Sequence, residues 1–258
     1  MTPPRYDALG LPVDALSYDQ AVERLCDLAT TPGPTRWACA VNPEKVMLAR
    51  SDPELQSFIS RAALAFPDGI GVVLACRMLY RAQIMRTPGA DLMESVCAQS
   101  ATRNITIFFF GSSEEVNAAA VAELQQRYPG MRAVGRQHGY LPPEEYDALV
   151  QRINDTHADL LVLALGSPKQ ERWIARYAPA LRVNLCLGVG GTLDTLTGRV
   201  KRAPALWRRL YLEWFYRLAR QPWRVWRQRR IFYYAALVGV RYLQILLTPH
   251  KRRTPPTA

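Results

Sequence analysis

As far as about Gly198 the chain repeats one unit: a short apolar run, a turn, then a helix with a readable cap. Apolar runs at 36–41, 62–66, 104–110, 131–135, 159–165 and 183–189 predict strands. Between them stand helix signals. Ser17 and Gln20 have capping-box spacing ahead of a helix through Leu28, and Asn42-Pro43-Glu44 places an N-cap, a proline at the first helical position and an acid in the first turn. Asp52-Pro53-Glu54 repeats that device, Ser112 with Glu115 caps a helix running to Tyr128, and Ser167 with Gln170 caps another. Further helices are expected over 70–80, 90–100 and 143–156. Strands that alternate with helices pair in parallel. The expected fold is therefore α/β: a Rossmann-like layered parallel sheet with helices on both faces, and ligands at the carboxyl ends of the strands.

The remaining residues are of a different kind. Up to Gly198 there are 18 Lys/Arg against 21 Asp/Glu, a balance of −3; from Arg199 onward there are 15 against one, or +14. The net charge of +11 is thus carried by a tail, which divides the 258 residues into a core over 1–198 and a basic, aromatic-rich helical appendage over 199–258. In that appendage Trp207, Leu210, Tyr211, Trp214 and Leu218 fall on one helix face, with Arg209, Glu213, Arg217 and Arg220 opposite. Pro222 ends or kinks this helix, and 223–227 starts another. The run 231–247 has one charge, Arg241, and basic residues on both sides; a helix lying in a membrane interface, or packed on the core, explains it better than a membrane span. Residues 254–258 are expected to be disordered.

Other classes of chemistry find little support. The five cysteines are scattered with no CxxC pair, the usage of reduced core thiols, and His138, His157 and His250 are isolated. No DxD occurs, so no carboxylate-held metal is expected, and the N-terminus lacks a signal-peptide pattern, which places the expectation in the cytoplasm.

Four turns follow strands. Asn42 reads as an N-cap or as a site residue; Asp68, in Pro67-Asp68-Gly69, reads as a turn residue or as a group at a reacting edge. The turn from Gly166 to Glu171 offers a helix N-terminus plus Lys169, suited to a phosphate or to capping alone. Gly188-Val189-Gly190-Gly191-Thr192-Leu193-Asp194 lets backbone approach a ligand, yet lacks the GxGxxG spacing of a dinucleotide site.

Taken in order, Asn42-Pro43-Glu44, Asp68-Gly69-Ile70-Gly71-Val72, Arg86-Thr87-Pro88-Gly89-Ala90-Asp91, Gly166-Ser167-Pro168-Lys169-Gln170-Glu171, the Gly188–Asp194 turn, and Arg202-Ala203-Pro204 through Leu212-Glu213-Trp214 and Pro222-Trp223-Arg224 form a set. That set resembles the WecG/TagA/CpsF glycosyltransferases, the N-acetylmannosaminyltransferase family. The resemblance implies an inverting transferase that needs neither metal nor cofactor. It implies a UDP-sugar donor, a polyprenyl-diphosphate-linked acceptor of GlcNAc type, and peripheral attachment to the anionic inner face of the cell membrane. The sugar implied is N-acetylmannosamine or its uronic acid, with UDP-glucose or another hexose donor as the alternative. Asp68 takes the position of the family's general base. Asn42, Gly69, Arg86, Gly166, Lys169, Gln170, Glu171, Gly190, Gly191 and Asp194 fall on donor-binding positions, and Arg217, Arg224 and Arg227 on positions that bind the acceptor diphosphate. Where family members often carry Thr-Ala-Asn, this chain has Ala40-Val41-Asn42, so a threonine hydroxyl is missing there.

Two other classes stay open at this point. A nucleic-acid binder accounts for the charge but gives the acidic body no task, and the resemblance implies no nucleic-acid partner. A nicotinamide-dependent oxidoreductase accounts for the glycine turns but not for their spacing. A homo-oligomer is compatible with the sequence.

Overall fold

The computed structural model describes residues 3–200, 204, 207, 215–216 and 225–247, the side chains of 225–228 excepted. The chain opens with a small antiparallel hairpin, β1 (Arg5–Asp7) with β2 (Pro12–Asp14), then α1 (Tyr18–Thr30). The main sheet follows: β3 (Arg36–Val41), α2 (Pro43–Ala49), α3 (Pro53–Ser60), β4 (Leu64–Pro67), α4 (Ile70–Tyr80), α5 (Gly89–Ser100), β5 (Thr106–Gly111), α6 (Glu114–Arg127) and β6 (Arg132–Gln137). A single 3-10 turn (Pro143–Glu145) leads into α7 (Tyr146–Asp155), then β7 (Leu160–Ala164), α8 (Lys169–Tyr177), β8 (Leu185–Gly188), α9 (Thr192–Leu196) and, after the tail, α10 (Val225–Leu247).

Six strands pair in parallel in the order β4-β3-β8-β7-β5-β6. Because side chains alternate across a strand, each strand feeds two layers. Phe108, Phe110, Leu161, Leu163 and Cys186 pack with α2, α3, α4, α7 and α8, while Ile107, Phe109, Leu160, Val162 and Leu187 pack with α1, α5 and α6. Burying each such Leu, Ile or Phe contributes about 1.5–3 kcal/mol, which is why β5, β7 and β8 read as unbroken apolar runs. The expected α/β class and two-faced helix layers are present. The crossover leaving β5 runs outward to β6, and the one leaving β7 runs the other way to β8. Such a divergence opens a crevice at the carboxyl ends of the two strands.

Local signals hold at most caps. Ser17 and Gln20 make both hydrogen bonds of a capping box, and Asn42 and Asp52 cap α2 and α3. Two expected caps are corrected. Ser112 does not cap α6: Gly111 and Ser112 both take positive φ, so the chain turns one residue later and Ser113 accepts from the Val116 amide. Ser167 does not cap α8; its hydroxyl is buried without a partner, and the Gln170 side chain is drawn to other groups. The helix expected over 143–156 begins instead as the 3-10 turn, closed by the Tyr146 amide donating to the Pro143 carbonyl.

In the appendage, α10 lies against α2 and α4, with Tyr234 and Val238 buried. Its outer face is apolar as well: Phe232, Tyr233, Val240, Leu243, Leu246 and Leu247 are exposed. Residues Arg229–Leu247 are long and apolar enough to cross a membrane by length and composition, yet one stripe of the helix packs on the core. The Trp207 ring lies 6.0 Å from those of Phe215 and Tyr216. The amphipathic helix expected over 207–218 otherwise lies outside the described residues, as do the break at Pro222 and the expected disorder of 254–258.

Candidate active site

The first cluster stands where β3 and β4 end. The Asp68 amide donates to the Val41 carbonyl at 3.0 Å, so the turn after β4 is stitched to the end of β3. Asn42 follows Val41, and its Oδ1 accepts from the Lys45 amide at 2.9 Å, which starts α2. The first turn of α4 then lies directly on Pro43. A Cβ on Gly69 would stand 2.8 Å from Pro43 Cδ, and one on Gly71 2.7 Å from Pro43 Cγ. The two glycines and the proline of separate motifs are therefore one packing unit.

The loop after α4 closes over Asp68. Thr87 N–H donates to the Pro67 carbonyl at 2.7 Å, Arg86 Nε donates to the Asp68 carbonyl at 2.7 Å, and the Gly89 amide donates to Asp68 Oδ1 at 3.0 Å. Asp68 is half-buried, and among the described residues its Oδ2 accepts no hydrogen bond. One carboxylate oxygen is thus fixed by backbone while the other remains available to a hydroxyl.

The second cluster is the crevice between β5 and β7, a cleft of about 370 Å³ lined by Ser112, Ser113, Gly139, Tyr140, Ala164, Leu165, Gly166, Lys169, Gly190, Gly191, Asp194 and Arg199. That volume is on the scale of small-ligand sites. Lys169 and Arg199 bring positive charge, Lys169 from the first residue of α8, where the helix dipole adds to it. Ser112 donates to Asp194 Oδ2 at 3.2 Å and Arg199 to Ser113 Oγ at 3.0 Å, which ties the α9 turn across to the β5 turn. Cβ atoms at Gly166, Gly190 and Gly191 would meet nothing within 4 Å.

A buried polar chain joins the two clusters. The Gly190 amide donates to Gln170 Oε1 at 3.0 Å, Gln170 Nε2 donates to Glu171 Oε1 at 3.2 Å, and Lys45 Nζ donates to the same oxygen at 2.7 Å. Lys45 and Glu171 are 4% and 2% exposed, so the pair is removed from water. Burial works to lower the Lys45 pKa, but the Glu171 carboxylate, by its charge and its hydrogen bond, outweighs it, and the net direction is up. Burial pushes the neighbouring Cys39 thiol up to about 12.

Asp68, Gly69, Asn42 and Arg86 thus gather at the β3–β4 edge, and Gly166, Lys169, Gly190, Gly191 and Asp194 in the cleft; Gln170 and Glu171 lie inside, between them. Arg217 and Arg224 lie outside the described residues; Arg227 falls within α10, but its side chain lies outside them. Lys45, Ser112, Tyr140 and Arg199 are not among the site residues expected from the sequence. Among the described residues no three His, Cys, Asp or Glu side chains come together as metal ligands.

An aspartate at one strand end and a cationic, glycine-walled crevice on the same carboxyl edge of the sheet suit a transfer reaction in which a proton is taken and an anion leaves. The family model for the glycosyl transferase WecG/TagA/CpsF family matches residues 6–251. The chain belongs to the WecG/TagA/CpsF family. Membership makes it a glycosyltransferase of cell-surface polysaccharide synthesis, a family whose substrates are a sugar donor and a lipid-linked acceptor. The family's Thr-Ala-Asn pattern is met here by Ala40 in β3, whose methyl offers no hydrogen bond beside Asn42.

Proposed function

We propose that this chain is an inverting transferase that moves N-acetylmannosamine or its uronic acid from a UDP donor to a polyprenyl-diphosphate-linked acceptor of GlcNAc type. The observation that carries the reading is the Asp68 carboxylate, with Oδ1 held by the Gly89 amide and Oδ2 accepting no hydrogen bond among the described residues. Asp68 takes the acceptor hydroxyl proton as that oxygen attacks the anomeric carbon, and the bond to UDP breaks on the opposite face. The charge developing on UDP needs fixed donors and cations. Lys169, Arg199 and the backbone at Gly191 supply these in a cleft of suitable size, while the Gly190 amide is held by Gln170.

The acceptor's diphosphate is assigned to the tail. Arg230 Nη1 lies 4.0 Å from Glu44 Oε1, two residues from Asn42, so the basic run ends at the reacting edge, and Arg217, Arg224 and Arg227 shortly precede it in sequence. The apolar outer face of α10 suits the interface of an anionic bilayer, with the enzyme peripheral on the inner face of the cell membrane. The deciding experiment is a screen of UDP-sugars against a short-chain polyprenyl-diphosphate-GlcNAc. Transfer from UDP-N-acetylmannosamine or its uronic acid, with inversion at the anomeric centre, is expected. Transfer from UDP-glucose alone would replace the sugar, and no transfer from any UDP-sugar would overturn the reading.

A further inference from the structure

We propose that Lys45 and Glu171 act as a positioning pair for the transfer step, locking the N-terminus of α2, with Asn42 and its neighbour Asp68, to the N-terminus of α8, with Gln170 and the Gly190 turn. The inference rests on the reading of Asp68 and the cleft given above, and adds to it two side chains that are 4% and 2% exposed.

Lysine and glutamate are almost never fully buried unless paired, and even paired they lose hydration that an apolar pair of the same volume would not. Stability alone therefore does not explain them. Their surroundings do. The hydrogen bonds of the pair run into both clusters: the Lys45 amide donates to Asn42, and Glu171 accepts from Gln170, which in turn accepts from the Gly190 amide. The backbone has been shaped for this chain as well. A Cβ on Gly188 would stand 2.4 Å from Gln170 Nε2, so the glycine at the end of β8 is what lets the amide reach across. Glu171 Oε2 is buried with no partner, a cost with no return in a purely structural ion pair. The pair thus fixes the relative placement of the base and the leaving-group cradle. A misplacement of about 1 Å between reacting groups reduces a rate by about 10²-fold.

The test compares full-length wild type with Lys45→Met/Glu171→Met, Glu171→Gln and Asp68→Asn, reading kcat, donor KM, UDP affinity, Tm and amide hydrogen exchange at Gly190. The double variant fills the same space with apolar groups. We expect its Tm to stay near that of wild type and UDP affinity to hold, while kcat falls by about 10²-fold and Gly190 exchanges faster. A folded double variant with wild-type kcat would overturn the proposal. If the double variant does not fold, Glu171→Gln decides, since it keeps the shape and removes the charge: its Tm falls because Lys45 loses its counter-charge, and at a temperature where it is folded a kcat loss of about tenfold or more supports the pair, while unchanged kcat overturns it. Asp68→Asn separates the two claims. Its full activity would sink the base assignment whatever the pair variants do, and its inactivity beside active pair variants would sink only the pair.

Discussion

The two clusters at the carboxyl edge of the sheet use glycine in opposite ways. At the β3–β4 end, Gly69 and Gly71 are filled against the protein itself, with the Pro43 ring where their side chains would be. In the cleft between β5 and β7, Gly166, Gly190 and Gly191 face open space. One set of glycines lets the protein touch itself; the other keeps a volume clear. The first kind builds a rigid platform for a single carboxylate, as expected of a group that must be aimed. The second kind leaves a wall with no side chains against which a ligand can lie close to the backbone, as expected of a cradle for phosphates.

Substitutions sharpen that contrast. The largest effect is expected at the platform: Asp68→Asn keeps the bond from Gly89 but cannot take a proton, so kcat should fall by about 10²-fold or more while UDP affinity is unchanged. Near-normal turnover would return Asp68 to a turn residue. Next comes Gly71→Ala, which drives a methyl into a rigid ring; overpacking of this kind costs about 1–3 kcal/mol, to be read as a lowered Tm. Gly191→Ala is the counterpart. Its φ is −87° and no neighbour is within reach, so Tm should not move, while UDP affinity falls by about tenfold, or 1.4 kcal/mol. An unchanged affinity would mean that the cleft is not where the nucleotide sits. The smallest effect is none at all. With cations lining the cleft, and neither a DxD in the chain nor a three-residue ligand set among the described residues, excess EDTA should leave the rate unaltered. A loss restored by Mg²⁺ or Mn²⁺ would show that the diphosphate is held by a metal instead.

Legibility in the sequence followed the range of the interaction. Ser17, Asn42 and Asp52 were readable as caps because a cap is settled within three residues. Ser112 and Ser167 carry the same spacing and were misread, because a glycine just before each one turns the backbone: at Gly111 this moves the cap on to Ser113, and after Gly166 the Gln170 side chain leaves for Gly190. The Lys45–Glu171 pair joins residues 126 positions apart, and no local pattern announces it. A signal did exist. Gln170, Trp173, Ile174 and Tyr177 fall at i, i+3, i+4 and i+7, which puts a polar residue on the inward face of α8. The crevice was less legible still, since Ser112, Tyr140, Gly166 and Arg199 meet only once the crossovers from β5 and β7 part.

The seat of α10 on α2 and α4 has a metric consequence. A helix with its side chains is about 10 Å thick, and α10 is the only layer between its own apolar outer face and the helix that Asn42 starts, among the described residues. On the proposed reading that thickness is a ruler: the carboxylate is held at least one helix layer from the lipid surface. A hydroxyl on the sugar next to the diphosphate comes within its span, and one several sugars further out does not. The length of saccharide already on the lipid would then be judged by reach alone, with no residue needed to count it.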